Sequence, residues 1–273
     1  MGWILTILSI LFVWLASLWK IFFSHSTTFK LKPGSPLHKK NVLLVVAHPD
    51  DESMFFSPTI NYLTSRWHSV YLLCMSIGNA DGMGDNRKDE LYRACVMNKV
   101  LLDQVKVLDH PDLQDGFGQV WNHDLLANII EEEVYGHVID VIITFDSYGV
   151  SGHCNHGDMH YGVRKFLHDS SPGNIEAWEL VSINILRKYS GLFDIWMSVS
   201  INILRKYSGL FDIWMSSLDV MRHPTGLRHC LCNEHPQKSF LAMAQHFSQW
   251  AWFRKLFISF SSYTYINTLR KIE

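Results

Sequence analysis

Short apolar runs alternate with stretches of helical period along most of this chain. Residues 42–47 are continuous, apolar and rich in Val and Leu, the pattern of a strand covered on both faces of a parallel sheet. The same reading places strands over 41–47, 69–76, 105–108, 138–144 and near 178–186. Between them it predicts helices over about 54–66, 87–102, 124–133 and 157–168, the first capped by Ser53 or by Asp50 and Asp51. Repeated βα units with short connections argue for an α/β fold: a Rossmann-like, mostly parallel sheet with helices on both faces. Beyond residue 217 the patterning weakens. Residues 222–236 read as loop. Phe247, Trp250, Trp252, Phe253, Leu256, Phe257, Ile258 and Phe260 read as an aromatic helix interrupted by Arg254 and Lys255. Such a helix either packs on a core or lies in the headgroup layer of a membrane.

The N-terminus changes the picture. Residues 3–19 carry no charge, and after Lys20 the apolar run resumes over 21–23. As a helix at ~1.5 Å per residue this spans roughly 30 Å, enough to cross a bilayer. Trp3 and Trp19 stand at its ends, where aromatic belts belong. A cleaved signal peptide would need a basic leader, a shorter apolar core and a small-residue cleavage site. The expectation is therefore one N-terminal transmembrane helix ahead of the α/β domain. Lys20, Lys30, Lys32, Lys39 and Lys40 all follow it, which orients the remainder toward the cytosol. The chain divides into an anchor (1–23), a linker (24–40), a catalytic domain (41–246) and an aromatic C-terminal helical segment (247–273). Within the third, residues 181–198 recur unchanged as 199–216. Two copies do not make a solenoid, and only one fits easily at a sheet edge.

Composition narrows the class. A net charge of -2 with 18% charged residues gives no reason to expect nucleic acid. The 5 cysteines are odd in number and follow no framework spacing, which points to a reducing compartment.

The chemistry gathers at two strand ends. The first strand stops in His48, Pro49, Asp50, Asp51 and Glu52. So many ionisable groups in five residues repel one another unless something positive, most simply a metal ion, offsets them. Capping and dipole effects explain one or two acids, but not the histidine. A second cluster, Gly152 to His160, follows another strand and holds His153, His156 and His160. Parallel strands emerge on one rim, so the clusters meet there. His156 would then complete a site with His48 and Asp51, leaving a position open for water and substrate, as a catalytic divalent metal requires. His156 and His160 could also pair on one helix face, although His160 reads better as a surface histidine. His153 either stabilises an oxyanion or makes ordinary loop hydrogen bonds. Arg87, one turn from Glu90, either clamps a substrate group or forms a surface pair. Asp112, Asp115 and Asp146 read as turn residues. Arg228 to Cys232 with His235 fits no common zinc module.

Taken together, the 47–52 run, Gly152-His153-Cys154-Asn155-His156, the 78–82 glycine loop and Arg87–Leu91 resemble the zinc-dependent de-N-acetylases of the PIG-L/LmbE type, in their eukaryotic branch. The resemblance covers about residues 1–185. It implies hydrolysis of the acetamide of N-acetylglucosaminyl-phosphatidylinositol, a membrane glycolipid, in glycosylphosphatidylinositol-anchor synthesis at the endoplasmic reticulum membrane. It implies His48, Asp51 and His156 as ligands of a divalent metal (zinc, Zn2+), Asp50 as general base, His153 as oxyanion stabiliser and Arg87 as a substrate contact. A de-N-acylase of a soluble N-acyl sugar and a non-catalytic membrane-anchored homologue are the rival readings. The tandem copy departs from the family pattern but lies outside the motif loops.

Overall fold

The computed structural model describes residues 39–116, 118–170, 173, 175–182 and 228–272, with position 12. The anchor expected over 1–23, nearly all of the linker, and the tandem copies beyond residue 182 lie outside the described residues. Among the described residues no helix is long and apolar enough to cross a membrane.

The strands are β1 (Asn41–Val46), β2 (Ser69–Cys74), β3 (Val105–Val107), β4 (Val141–Phe145), β5 (Glu176–Leu180), β6 (Arg228–Cys232) and β7 (Ile266–Lys271). The helices are α1 (Asp51–Met54), α2 (Ser57–Ser65), α3 (Gly84–Met97), α4 (His123–Gly136), α5 (Gly149–Gly152), α6 (Cys154–Ser170), α7 (Pro236–Met243), α8 (Trp252–Phe260) and α9 (Ser262–Tyr265). The described strands form one seven-stranded sheet in the order β3-β2-β1-β4-β5-β7-β6. β1 to β5 run parallel; β7 pairs antiparallel with both β5 and β6. The α/β, mostly parallel architecture is as expected.

β1 explains the centre of the molecule. Val42 to Val46 are all buried, so both faces of this strand are covered, and its register runs Val46 opposite Cys74 on one side and Leu44 opposite Ile143 on the other. The connections from β1 to β2 and β3 progress one way along the sheet, and those through β4 and β5 the other. Right-handed crossovers therefore place α2 and α3 on one face and α4 and α6 on the other. Consistent with this, α4 packs against α6, whereas α3 packs against α7. The reversal of direction between β1 and β4 opens a crevice beyond their carboxyl ends. Both histidine clusters follow those two strands.

Several boundaries differ from the sequence expectation. The helix expected over 54–66 is broken into α1 and α2 at Phe55 and Phe56, whose rings are buried in the core; Pro58 starts the second piece, where a missing N–H costs nothing. The strand expected from 138 begins only at Val141, because Val138 is 76% exposed with φ 51°. The strand near 178–186 is β5, which begins two residues earlier and ends at Leu180. Residues 228–232, expected as loop, form β6. The 247–273 segment is not helical throughout: after α8 and α9 it ends in β7, inside the sheet between β5 and β6.

Candidate active site

At the end of β1 the chain turns sharply. Asp50 has φ 113°, a region L residues rarely occupy, and such strain persists only where the surroundings fix it. The turn aims the acids in different directions. Asp51 turns back: its Oδ2 accepts from the backbone N–H groups of Ala47 (3.1 Å) and His48 (2.9 Å). Glu52 is buried, accepts from the Asp50 N–H at 3.0 Å and pairs with Nε2 of His246 at 2.7 Å. Neither Asp50 nor Asp51 caps α1 through its side chain. The caps expected from sequence are replaced by longer-range contacts.

The second cluster arrives from β4 through α5 and the start of α6. Gly149, with φ 63°, lets the turn pass against the helix; a Cβ there would lie 2.5 Å from the Cβ of His156. The Gly149 carbonyl accepts from Nδ1 of His156 at 3.1 Å. A carbonyl can only accept, so that bond puts a proton on Nδ1 and turns Nε2 toward Asp51. Phe145, the last residue of β4, stacks on the ring at 4.1 Å with the planes 3° apart. His156 Nε2 then faces Asp51 Oδ1 at 3.1 Å, within hydrogen-bond reach. A carboxylate oxygen and an imidazole nitrogen buried so close need a proton or a cation between them.

His48, His153 and His156 each offer one ligand atom, and all these atoms lie within 4.8 Å of one another. The two strand ends therefore do converge, as the parallel-sheet argument required. Three imidazole nitrogens at this spacing, with Asp51 Oδ1 against one of them, fit a divalent ion, and a hydrogen bond from His156 to a carbonyl is the support that metal-bound histidines use. Burial opposes ionisation of Asp51, but His156, His48 and the backbone N–H hold its carboxyl well below the usual range. Burial likewise disfavours a charged His48, but Asp115, Asp51 and Asp50 raise it above the ordinary imidazole value. Burial and the neighbouring His156 and His48 lower His153, which keeps that ring neutral near pH 7.

The other end of the cleft is built on guanidinium groups. Arg87, on α3, donates through Nη1 to the Gly78 carbonyl and through Nη2 to the Pro49 carbonyl, both at 2.8 Å. It also meets Asp115 at 3.3 Å and Asp50 at 3.5 Å. Gly78 has φ 68°, and a Cβ there would lie 2.6 Å from this guanidinium. Arg87 thus ties three loops together. Asp50 pairs as well with Arg254 of α8. Glu90 does not pair with Arg87; it accepts from the N–H and hydroxyl of Ser248 at 2.7 and 2.6 Å.

Two readings from sequence need correction. Asp115 is not merely a turn residue: its Oδ1 lies 3.1 Å from His48 Nε2. Burial opposes its ionisation, but His48 and Arg87 hold its carboxyl below the usual range. Its signal was its place beyond β3, on the same rim. His160 is not at the surface; it is buried and pairs with Glu179 at 2.8 Å, one turn beyond His156 but outside the cluster. Arg254 and His246 were missed because nothing in a sequence of aromatic helices marks which of their residues reach the cleft. Asp146 remains a loop-holding residue, accepting from Ser182 and Gly149.

Residues 43–167 match the family model described as PIG-L: GlcNAc-PI de-N-acetylase. A protein of Dictyostelium discoideum named as a probable N-acetylglucosaminyl-phosphatidylinositol de-N-acetylase is 32% identical over 266 residues, covering 88% of this chain and 96% of that one. The N-acetylglucosaminyl-phosphatidylinositol de-N-acetylase of Bos taurus is 34% identical over 237 residues, covering 86% and 85%. Among solved structures, the N,N'-diacetylchitobiose deacetylase of Pyrococcus horikoshii superposes with a TM-score of 0.53 at 12% identity, over 79% of this chain and 72% of that one. The last is a likeness of fold.

Proposed function

The chain belongs to the GlcNAc-PI de-N-acetylase family, and from that premise we propose that it hydrolyses the acetamide of N-acetylglucosaminyl-phosphatidylinositol to glucosaminyl-phosphatidylinositol and acetate, the second step of glycosylphosphatidylinositol-anchor synthesis. The observation that carries this reading is the buried His156 Nε2 facing Asp51 Oδ1 inside a cluster of three imidazoles. His48, Asp51 and His156 would hold a divalent ion, zinc by preference for this donor set, with His153 beside them. Such an ion supplies Lewis acidity, polarising the acetamide carbonyl and acidifying water.

The residues do the rest. Asp50, oriented between Arg87 and Arg254, accepts a proton from the attacking water as its oxygen bonds to the acetyl carbon. The N–H of the neutral His153 ring donates to the oxyanion that forms. Asp50 then returns the proton to the departing nitrogen, the C–N bond breaks, and acetate and the free amine separate. Arg87 and Asp115 keep the loops carrying Asp50 and His48 in register. The apolar 3–23 run and the lysines after it support a single membrane pass with the catalytic domain in the cytosol, and the family resemblance implies the endoplasmic reticulum as that membrane. Anchoring keeps enzyme and lipid on one surface and raises their effective concentration.

The test is Asp50→Ala. Acetate release should fall by about 10²–10⁴-fold while the protein retains its metal. Near-normal turnover would remove Asp50 from the role of base.

A further inference from the structure

Helix α8 is apolar on two sides, and among the described residues only one of them is covered. At 3.6 residues per turn, Trp252, Phe253, Leu256 and Phe260 share one face of it, whereas Arg254, Phe257 and Ile258 lie opposite. The second face is spent on the protein: Phe257 and Ile258 are buried, and Arg254 reaches Asp50. The first face is not. Trp252, Phe253, Leu256 and Phe260 are 73%, 54%, 48% and 58% exposed. Phe247, just ahead of the helix, is 64% exposed, and Phe240, whose ring meets Trp250 at 5.2 Å, extends the surface onto α7. A monomeric soluble surface rarely leaves so many large apolar side chains together.

Charge identifies the partner. From His235 to Ile272 the sequence contains no Asp or Glu; Arg254 and Arg270 are taken up by Asp50 and Glu179, and Lys238, Lys255 and Lys271 remain. Lys255 is exposed beside the apolar arc with its ammonium 5.5 Å from the Trp250 ring, and Arg93 lies 5.9 Å from the Phe247 ring. Aromatic side chains rimmed by cations are what a helix lying in the headgroup layer of an anionic membrane presents. We propose that α8 docks on the lipid surface, its Trp252–Phe260 face in the acyl boundary and its cations among the phosphates. The inference rests on the glycolipid reading above and deepens it. Since Arg254 on the reverse of the same helix contacts Asp50, the bilayer would lie roughly one helix diameter, about 10 Å, from the carboxylate. A sugar headgroup standing on its inositol phosphate would then meet the cleft while its acyl chains stay in the membrane.

The experiment uses the full chain reconstituted in phosphatidylcholine–phosphatidylinositol vesicles with and without brominated acyl chains. The brominated lipid should quench part of the fluorescence of the wild type that is missing from Trp252→Phe. Identical quenching of the two proteins would place Trp252 in water or against protein and overturn the proposal. In parallel, a variant with Trp252, Phe253, Leu256 and Phe260 all changed to Ser should lose about tenfold or more in turnover of the vesicle-borne glycolipid. It should keep its turnover of lipid-free N-acetylglucosaminyl-inositol. Equal losses on both substrates, or a stable complex with another protein in place of quenching, would overturn it too. If the wild type turns over neither substrate, the hydrolase reading fails, while the quenching result still judges the docking surface.

Discussion

The two ends of the cleft hold their charges by opposite means. At the imidazole end, Asp51 is held by imidazoles and backbone: His156 Nε2 lies 3.1 Å from its Oδ1, and the Ala47 and His48 N–H groups donate to its Oδ2. At the guanidinium end, Asp50 is matched by Arg87 and Arg254, and Asp115 by Arg87 and His48. Both ends are buried, so the desolvation cost is similar. One end carries permanent cations, and the other holds its carboxylate with imidazoles that give up protons when a metal binds. His160 sharpens the contrast from within α6: one turn beyond His156, it pairs with a Glu179 that Arg270 also neutralises. What separates the two histidines is their company: the partner of His160 also has a guanidinium, whereas His156 stands with two further imidazoles whose ligand atoms lie within 4.8 Å.

The largest effect should come from breaking the imidazole end. His156→Ala removes a proposed ligand and leaves Asp51 without its neighbour. Metal content should fall to near zero, and acetate release should drop by more than the roughly 10–100-fold that outer-shell losses cost. Elemental analysis beside a turnover assay checks this. A fully metallated, active variant would show that His156 is structural, like His160.

A subtler break acts through the support of that histidine. Gly149→Ala puts a methyl group into a positive-φ turn, 2.5 Å from the Cβ of His156, and should displace the ring without touching its chemistry. Metal affinity should fall by about 10–100-fold, and excess metal should restore turnover. Loss that excess metal cannot rescue would mean that the turn governs folding and not ligand geometry.

How much of this was readable beforehand follows the same division. The parallel half of the sheet was legible, because strands buried on both faces write continuous apolar runs such as 42–46, and the loops at their ends carry unmistakable clusters. β6 and β7 were not. Arg228, His229, Asn267, Arg270 and Lys271 interrupt their apolar pattern, and antiparallel pairing, which sets no such pattern, holds them. Of the site, the residues on strand-end loops were found. Arg254, His246 and the role of Asp115 were hidden, because each acts through a contact distant in sequence, between Asp50 and Arg254 or between His48 and Asp115. Distance in the chain, rather than weak chemistry, concealed them.

At the guanidinium end the expected effect is smaller and falls on stability. Arg87→Lys keeps the charge but cannot serve the Gly78 and Pro49 carbonyls and Asp115 together, since a single ammonium replaces a fork. The loss should be about 1–3 kcal/mol, which for a domain of this size is about 2–4 °C of Tm per kcal/mol. Metal content should be nearly unchanged. A wild-type Tm would show that the three loops are held elsewhere; a loss of metal would show that the two ends are not independent.

The smallest effect is a pH dependence centred on Glu52, which lies between the two ends. Burial disfavours a charged His246, but Glu52 by charge and hydrogen bond, with Asp50 and Glu90 further off, raises it above the ordinary imidazole value. A group raised on folding contributes stability that is fully present below its unfolded value, about 6.5. That contribution is lost as pH rises through the folded value. The wild type should therefore lose stability from about neutral pH upward. His246→Gln, whose amide can still donate to Glu52 but does not titrate, should lose less over the same interval. His48 is raised in the same direction, so the difference between the two proteins, and not either curve alone, isolates His246. Denaturant midpoints measured across that interval give the answer. Parallel curves would mean that the His246–Glu52 contact is an uncharged hydrogen bond, leaving the Glu52 carboxylate to be balanced from the guanidinium end.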